Sequence, residues 1–438
     1  VTASRSPSGP RILSRAEHGI SRSQISQNAL KVLYRLKDAG YEGYLVGGGV
    51  RDLLLGREPK DFDIATDARP EEVRQLFRNC RLIGRRFRLA HVHFGREIIE
   101  VATFRAPHDE AEGGEGEVVD GRIVRDNVYG TLEQDAWRRD FTANALYYNI
   151  ADFSVVDYTE GVEDLRAGLL RPIGDPEVRF REDPVRMLRA VRFAAKLGFR
   201  IEAACERHIT GHAELLETVA PARLFDEVLK LFHGGCALNT FEMLRHYGLF
   251  EHLFPLTEEA LTRQEGGFPL TFVSQALNNT DSRINQDLPV TPAFLYAVML
   301  WEPVRREALL LEEGGMASLQ ALQAAGGQVL AAQARHITIP KRFAFPVREI
   351  WEMQAKLERF GTRRALRLLT HPRFRAAYDF FCLRAKAGET SSEACDWWTD
   401  IQEADEARQL DMTEGKGGGP RPKRRRRPRK RRPASHGV

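Results

Sequence analysis

The chain has 438 residues, 42% hydrophobic and 9% aromatic, enough apolar side chain for more than one core, so wholesale disorder is excluded. No apolar run approaches the ~18 residues of a membrane span, and the first residues lack the continuous hydrophobic region of a secretory signal. Lys and Arg number 65 against 61 Asp and Glu, but eleven of those cations and no acid follow Glu414, which leaves 54 basic against 61 acidic groups before it. A mildly acidic body with a very basic end points to a polyanionic partner, nucleic acid first.

In chain order, residues 1–27 are rich in Ser, Arg and Pro with Glu17 as the one acid, and read as a flexible leader. Asn28 is expected to cap a helix through Ala39, with Leu30, Leu33, Tyr34 and Leu36 on one face and Gly40 as the stop. A strand at Tyr44-Leu45-Val46 is followed by Gly47-Gly48-Gly49 and a short helix over Val50–Leu55. Asp61–Thr66 reads as a second strand, Pro70 opens a helix to Phe77, and Ile98–Phe104 is a third strand. The acidic, Gly-rich stretch Asp109–Gly121 reads as a mobile loop, and Leu146–Ile150 with Ser154–Tyr158 as a hairpin. This alternation makes an α/β head over residues 28–170. Pro184–Leu197 is a strongly amphipathic helix, and helical periodicity recurs to about residue 400, giving a helical neck (171–235) and an all-α body (236–402). Residues 403–438 read as a disordered basic tail. The five cysteines (Cys80, Cys205, Cys236, Cys382, Cys395) are scattered and form no C-x-x-C, and so read as reduced thiols rather than staples.

The chemistry lies in the head. Asp61 and Asp63, at i and i+2 of a strand, would point the same way with Cα atoms roughly 6–7 Å apart. Such a pair can hold divalent cations through oxygen ligands while leaving room for phosphates. Fifteen residues upstream, bare backbone at Gly47 and Gly48, with Arg51 beyond, allows close approach of amides to a triphosphate. Two residues compete for the place of third carboxylate. Glu100 sits in an otherwise apolar strand and needs a partner or a metal. Asp140 follows Arg138 and Arg139, whose guanidinium groups suit phosphate or ribose oxygens. For either acid a structural ion pair is the alternative. At Glu182-Asp183-Pro184-Val185-Arg186, Asp183 and Arg186 could read a base edge by one acceptor and one donor, or Asp183 could simply cap the helix. His91 and His93 have metal-like spacing but read as ordinary packed or surface histidines.

Together, Leu-Val-Gly-Gly-Gly-Val-Arg-Asp (45–52), Lys-Asp-Phe-Asp-Ile-Ala-Thr (60–66), Arg-Arg-Asp-Phe-Thr (138–142) and Glu-Asp-Pro-Val-Arg-Met-Leu-Arg-Ala-Val-Arg-Phe (182–193) resemble the class II nucleotidyltransferases. That superfamily holds bacterial poly(A) polymerases and tRNA CCA-adding enzymes. The resemblance implies an α/β nucleotidyltransferase head with a mixed sheet, then all-α domains that grip RNA. It implies Asp61 and Asp63 as ligands of catalytic Mg²⁺ and Asp140, with Arg138 and Arg139, in nucleotide binding and catalysis; Glu100 is read as a further metal ligand, and Mn²⁺ as a substitute for Mg²⁺. Gly47, Gly48, Arg51, Arg138, Arg139 and Arg189 would then serve the nucleotide, and Asp183 and Arg186 would select the base. The segment 82–94, with Arg85, Arg86 and Arg88, and the Arg/Pro-rich end are similar to the poly(A)-adding branch. The expectation is therefore a monomeric, cytoplasmic enzyme that adds AMP from ATP to RNA 3′ ends. The rivals are a CCA-adding enzyme and a non-catalytic RNA-binding protein on the same fold. No residue pattern derives a protein partner such as an RNA-decay factor.

Overall fold

In the computed structural model, residues 9–84, 88–106, 115–119, 122–263 and 268–414 are described. The chain divides into two compact units, one of Val1–Arg263, Leu277–Leu295 and Gln328–Pro340, the other of Gln264–Ala276, Tyr296–Gly327 and Lys341–Val438.

The first unit is built on strands β1 (Arg11–Leu13), β2 (Gly43–Val46), β3 (Asp63–Thr66), β4 (Cys80–Ile83), β5 (Leu89–Phe94), β6 (Glu97–Thr103), β7 (Glu115–Val119), β8 (Arg122–Asn127), β9 (Leu146–Asn149) and β10 (Val155–Asp157). Eight of these form one sheet in the order β1-β10-β9-β2-β3-β6-β5-β4, while β7 and β8 pair as a separate hairpin. Only β3 and β6 run parallel among the neighbours of the eight-stranded sheet; the sheet is mixed, as expected. Helices α1 (Arg15–His18), α2 (Gln27–Asp38), α3 (Gly48–Leu54), α4 (Pro70–Leu76) and α5 (Leu132–Arg138) connect them. Because side chains alternate along a strand, the sheet has two distinct faces. Leu45, Ile64, Ile99, Val101, Val92 and Tyr148 join the main core with Leu33 and Leu36 of α2 and Val73 of α4. Tyr44, Val46, Ala65 and Tyr147 form a second cluster on the opposite face with Leu132 and Ala136 of α5.

After α6 (Gly161–Ala167) the chain turns helical, with α7 (Pro176–Glu182), α8 (Val185–Leu197), α9 (Ala203–Gly211), α10 (Pro221–Phe232) and α11 (Ala237–His246). The expected amphipathic helix is α8: Val185, Met187, Leu188, Val191, Ala194 and Leu197 are buried. The second unit has its own core around Met353, Leu357, Phe374, Phe381 and Trp398. Among the described residues no helix is long and apolar enough to cross a membrane.

Several local expectations are corrected. Residues 11–27 are not a free leader: β1 pairs with β10, and Leu13, Ile20 and Ile25 are buried, so burial of three apolar side chains fixes a stretch that lacks any periodicity. Ser26, not Asn28, caps α2, its hydroxyl accepting from the Asn28 and Ala29 amides at 3.2 and 3.4 Å. Asp61 lies ahead of β3, which starts at Asp63. Part of the acidic loop is the β7–β8 hairpin; the rest of that reading lies outside the described residues, as do Arg85 and Arg86. Glu406–Glu414 is a helix, so the tail begins later than residue 403; residues 415–438 lie outside the described residues. Cys382 and Cys395 are joined by a disulfide with Cα atoms 5.3 Å apart, against the expectation of five thiols. Helices Phe374–Lys386 and Ser392–Glu403 bring them together, a closeness that sequence spacing does not reveal. Cys80, Cys205 and Cys236 are free.

Candidate active site

The turn between β2 and α3 needs glycine. Gly47 has φ 73° and ψ −134°, a conformation closed to side chains with a Cβ. Gly49 is favoured by a close approach: a Cβ there would lie 3.3 Å from the Asp61 carbonyl oxygen, a tight contact. The glycine turn therefore packs directly against the backbone that carries Asp61.

Register does the rest. Val46 of β2 pairs with Asp63 of β3, Asp63 with Glu100 of β6, and Glu100 with His91 of β5. Directly opposed residues share a face, so Asp63, Glu100 and His91 form one row, continued by Val46 and by Tyr147 of β9. His91 Nε2 lies 3.3 Å from Glu100 Oε2. Burial first, then the negative charges of Glu100 and Asp61, push the Asp63 carboxyl up to about 6, with Arg139 and His91 pulling the other way. Asp61, Asp63 and Glu100 thus come together as oxygen donors with more negative charge than their own surroundings balance. That donor set fits a hard divalent cation. His91, expected to be an ordinary histidine, belongs to this row.

A second set of side chains flanks it. Arg139 donates from Nε to Tyr147 Oη (2.8 Å) and from Nη2 to Asp135 Oδ2 (3.1 Å), and its Nη1 lies 3.6 Å from where a Cβ on Gly47 would be. Burial disfavours its charge, but Tyr147 and Asp135 outweigh burial and keep it cationic. Arg51 is 2% exposed. Its Nε and Nη2 donate to Asp52 Oδ1 (2.9 and 2.7 Å), its Nη1 to Asn144 Oδ1 (2.7 Å), and its guanidinium lies over Phe193. Asn144 in turn donates from Nδ2 to Asp140 Oδ1 at 3.1 Å. Asp140 also accepts from the Phe141 amide (2.8 Å) and from Arg189 Nε (2.8 Å). Burial would raise the Asp140 carboxyl, but the Arg189 charge and these hydrogen bonds hold it at about 2. Asp140 is thus the anchor of Arg189 and Asn144, whereas Glu100 shares the row of Asp63.

At the elbow between α7 and α8, Asp183 Oδ1 accepts from the Val185 amide (3.3 Å) and Oδ2 from Arg223 Nη2 (2.7 Å). Arg186 Nη1 donates to Glu182 Oε2 (2.7 Å) and to the Arg179 carbonyl (2.8 Å). The two expected base readers share one turn, each held by a different neighbour. Arg179 Nη2 donates to the carbonyls of Arg138 (2.6 Å) and Arg139 (2.7 Å), while burial and the Arg186 charge push its guanidinium down to about 10. Sequence reading missed Asn144, Arg179 and Arg223. Asn144 alone left a local signal, four residues after Asp140 and so about one helical turn away. Arg88, of the segment similar to the poly(A)-adding branch, pairs with Glu71 at 2.7 Å.

Residues 43–171 match the family described as the Poly A polymerase head domain, 198–261 that of a probable RNA and SrmB- binding site of polymerase A, and 314–432 that of the polymerase A arginine-rich C-terminus. The chain is 49% identical over 437 residues to a Poly(A) polymerase I of Salmonella typhimurium, covering 98% of this chain and 93% of that protein. It is 40% identical to a CCA-adding enzyme of Lactobacillus helveticus, but over only 49% of this chain and 52% of that protein. Among solved structures it resembles the Bacillus stearothermophilus CCA-adding enzyme in complex with CTP, with TM-score 0.56, 26% identity and coverage of 90% of this chain and 89% of that one. Sequence identity near one half thus runs along nearly the whole chain with the first branch, whereas with the CCA-adding relative it spans about half of the chain. A nucleotide substrate, RNA 3′ ends and a divalent metal go with that membership. The chain belongs to the poly(A) polymerase I family of nucleotidyltransferases and is a polynucleotide adenylyltransferase.

Proposed function

We propose that AMP transfer from ATP to the RNA 3′ end takes place at the carboxylate cluster of Asp61, Asp63 and Glu100. The observation that carries this reading is the Asp63–Glu100 register, which concentrates carboxylates beside the glycine turn. Asp61, Asp63 and Glu100 would hold Mg²⁺, for which Mn²⁺ can substitute. When bound, the cations would neutralise charge at the reacting phosphate and lower the pKa of the attacking hydroxyl. The 3′-hydroxyl gives up its proton to water as its oxygen forms a bond to the α-phosphorus, the bond from that phosphorus to the bridging oxygen breaks, and pyrophosphate leaves.

The chain's own residues mostly position and neutralise. The Gly47–Gly48 backbone and Arg139 face the polyphosphate, with Arg139 kept charged by Asp135 and Tyr147. Arg138 is assigned to phosphate or ribose. Asp140 holds Arg189 and, through Asn144, Arg51, so its part in catalysis is to fix cations around the nucleotide. Asp183 and Arg186 select adenine from the α7–α8 elbow, Asp183 with its cap bond to Val185 as the pivot. We assign the enzyme to the cytoplasm, where ATP and RNA meet, and to action as a monomer.

The test is direct. The protein is incubated with a short labelled RNA, or with a labelled tRNA, and with each nucleoside triphosphate separately and CTP and ATP together. A long ladder with ATP alone is expected. Addition of three nucleotides from CTP and ATP together, with tRNA required, would instead make it a CCA-adding enzyme. No addition by intact protein, with RNA still bound, would make it a binding protein.

A further inference from the structure

Away from the carboxylate row, α7 and the end of α9 bring together a different set of donors. Glu177 lies in the first turn of α7, His208 near the end of α9, and His212 caps that helix. One ligand atom from each lies within 4.8 Å of the others, and all three residues are half-buried. The His212 ring is oriented for ligation. Its Nδ1 lies 3.0 Å from the His208 carbonyl oxygen. A carbonyl only accepts, so Nδ1 carries the proton and the lone pair is on Nε2. That Nε2 is 3.6 Å from Glu177 Oε1. A backbone hydrogen bond on the far nitrogen is the arrangement that fixes tautomer and ring direction in metal-ligating histidines.

A cation already uses these lone pairs. Arg181 Nη2 donates to Glu177 Oε1 (3.0 Å) and lies 3.3 Å from His212 Nε2. Its side chain is 58% exposed, so it can swing into water when a stronger cation arrives.

We propose that Glu177, His208 and His212 form a transition-metal site of the zinc class, separate from the oxygen site of the head. Two imidazoles and one carboxylate suit Zn²⁺, with water in the fourth position, and suit Mg²⁺ poorly. Zinc–ligand bonds of about 2.0–2.2 Å require the three donor atoms to draw in by about an ångström, a movement open to half-buried side chains. The ion ties α7 to α9. Because α7 also carries Arg179, which holds the Arg138 and Arg139 carbonyls, and Glu182, which holds Arg186, the tie stiffens the segment that supports the candidate base readers.

The full chain is equilibrated with Zn²⁺ in the presence of excess Mg²⁺, which keeps the carboxylate row filled, and bound zinc is then measured alongside a melting curve. The expected result is one zinc per chain in the wild type that is lost in both His208→Gln and His212→Gln. Zinc should raise the melting temperature of the wild type and leave that of the two histidine variants unchanged. Arg181→Ala, which removes the competing cation, should bind zinc several-fold more tightly than the wild type. Equal zinc content in all four proteins, or an Arg181→Ala variant that gains no affinity, would overturn the proposal. Unchanged Mg²⁺-dependent AMP transfer by the histidine variants verifies that they fold.

Discussion

Asp63 and Asp140 are both aspartates in the head, yet their surroundings pull them in opposite directions, and each makes a testable signature. An unfolded aspartate titrates near 4, whereas Asp63 is pushed up to about 6 by burial and by the charges of Glu100 and Asp61. Stability from the protonated Asp63 is therefore fully present below about pH 4 and lost as pH rises through about 6. In chelator at pH 7.5, Asp63→Asn should be more stable than the wild type, by about 1–2 kcal/mol, and the gap should close as pH falls toward 4. Saturating Mg²⁺ should reverse the order, because only the wild type gains from binding. AMP transfer should fall by far more than about tenfold, which is a loss of ~1.4 kcal/mol; a smaller loss would remove Asp63 from the transfer site. Asp140 is the converse: held at about 2, it contributes stability above about pH 4 that is lost as pH falls through 2. Asp140→Asn leaves Arg189 without its carboxylate and should cost about 3 kcal/mol at neutral pH. Its acid limb between about pH 4 and 2 should be flatter than that of the wild type. Urea melts across pH read both effects.

At the scale of elements, the glycine turn is the piece whose chemistry is least replaceable. Gly47→Ala forces a Cβ into a backbone region reserved for glycine and should cost about 1–3 kcal/mol. Gly49→Val crowds the Asp61 carbonyl, which a single Cβ would already approach to 3.3 Å, so transfer should suffer more than stability. A Gly49→Val variant with a normal rate would show that Asp61 needs no support from α3. These glycines were legible because their signal is local, as were the amphipathic face of α8, the Pro70 start of α4 and the β9–β10 hairpin. The row of Asp63, Glu100 and His91 was only half legible. The Asp pair announced itself, but Glu100 is 37 residues from Asp63, and the parallel pairing of β3 with β6 that sets them side by side has no signature in either strand alone. The same reason hid β1, three residues long, whose partner lies more than a hundred residues away. It hid the Cys382–Cys395 bond too, since two helices must fold back on each other first. Composition misled at the β7–β8 hairpin, where acids and glycines look like a loop but pair all the same.

On the whole-molecule scale the charge split of the sequence has a kinetic consequence. Every residue assigned to transfer lies between Gly47 and Arg223, while eleven cations crowd between Lys416 and Arg432. A segment with such charge and no apolar residues binds polyanions without base preference. Its effect belongs to RNA retention, not to the phosphoryl step. Each cation that neutralises a phosphate of single-stranded RNA adds about 0.7 to the slope of log affinity against log salt. All eleven engaged would give a slope contribution of about 8, and half of them about 4. Deleting residues 415–438 should therefore weaken RNA binding at low salt, flatten its salt dependence by a few units and shorten the poly(A) products. Transfer of the first AMP at saturating RNA should stay at the wild-type rate, because once the 3′ end is bound the carboxylate row, Arg139 and the α7–α8 elbow are all intact. Equal salt slopes for the full and shortened chains would mean that residues before 415 hold the RNA, and the basic end would then have no part in product length.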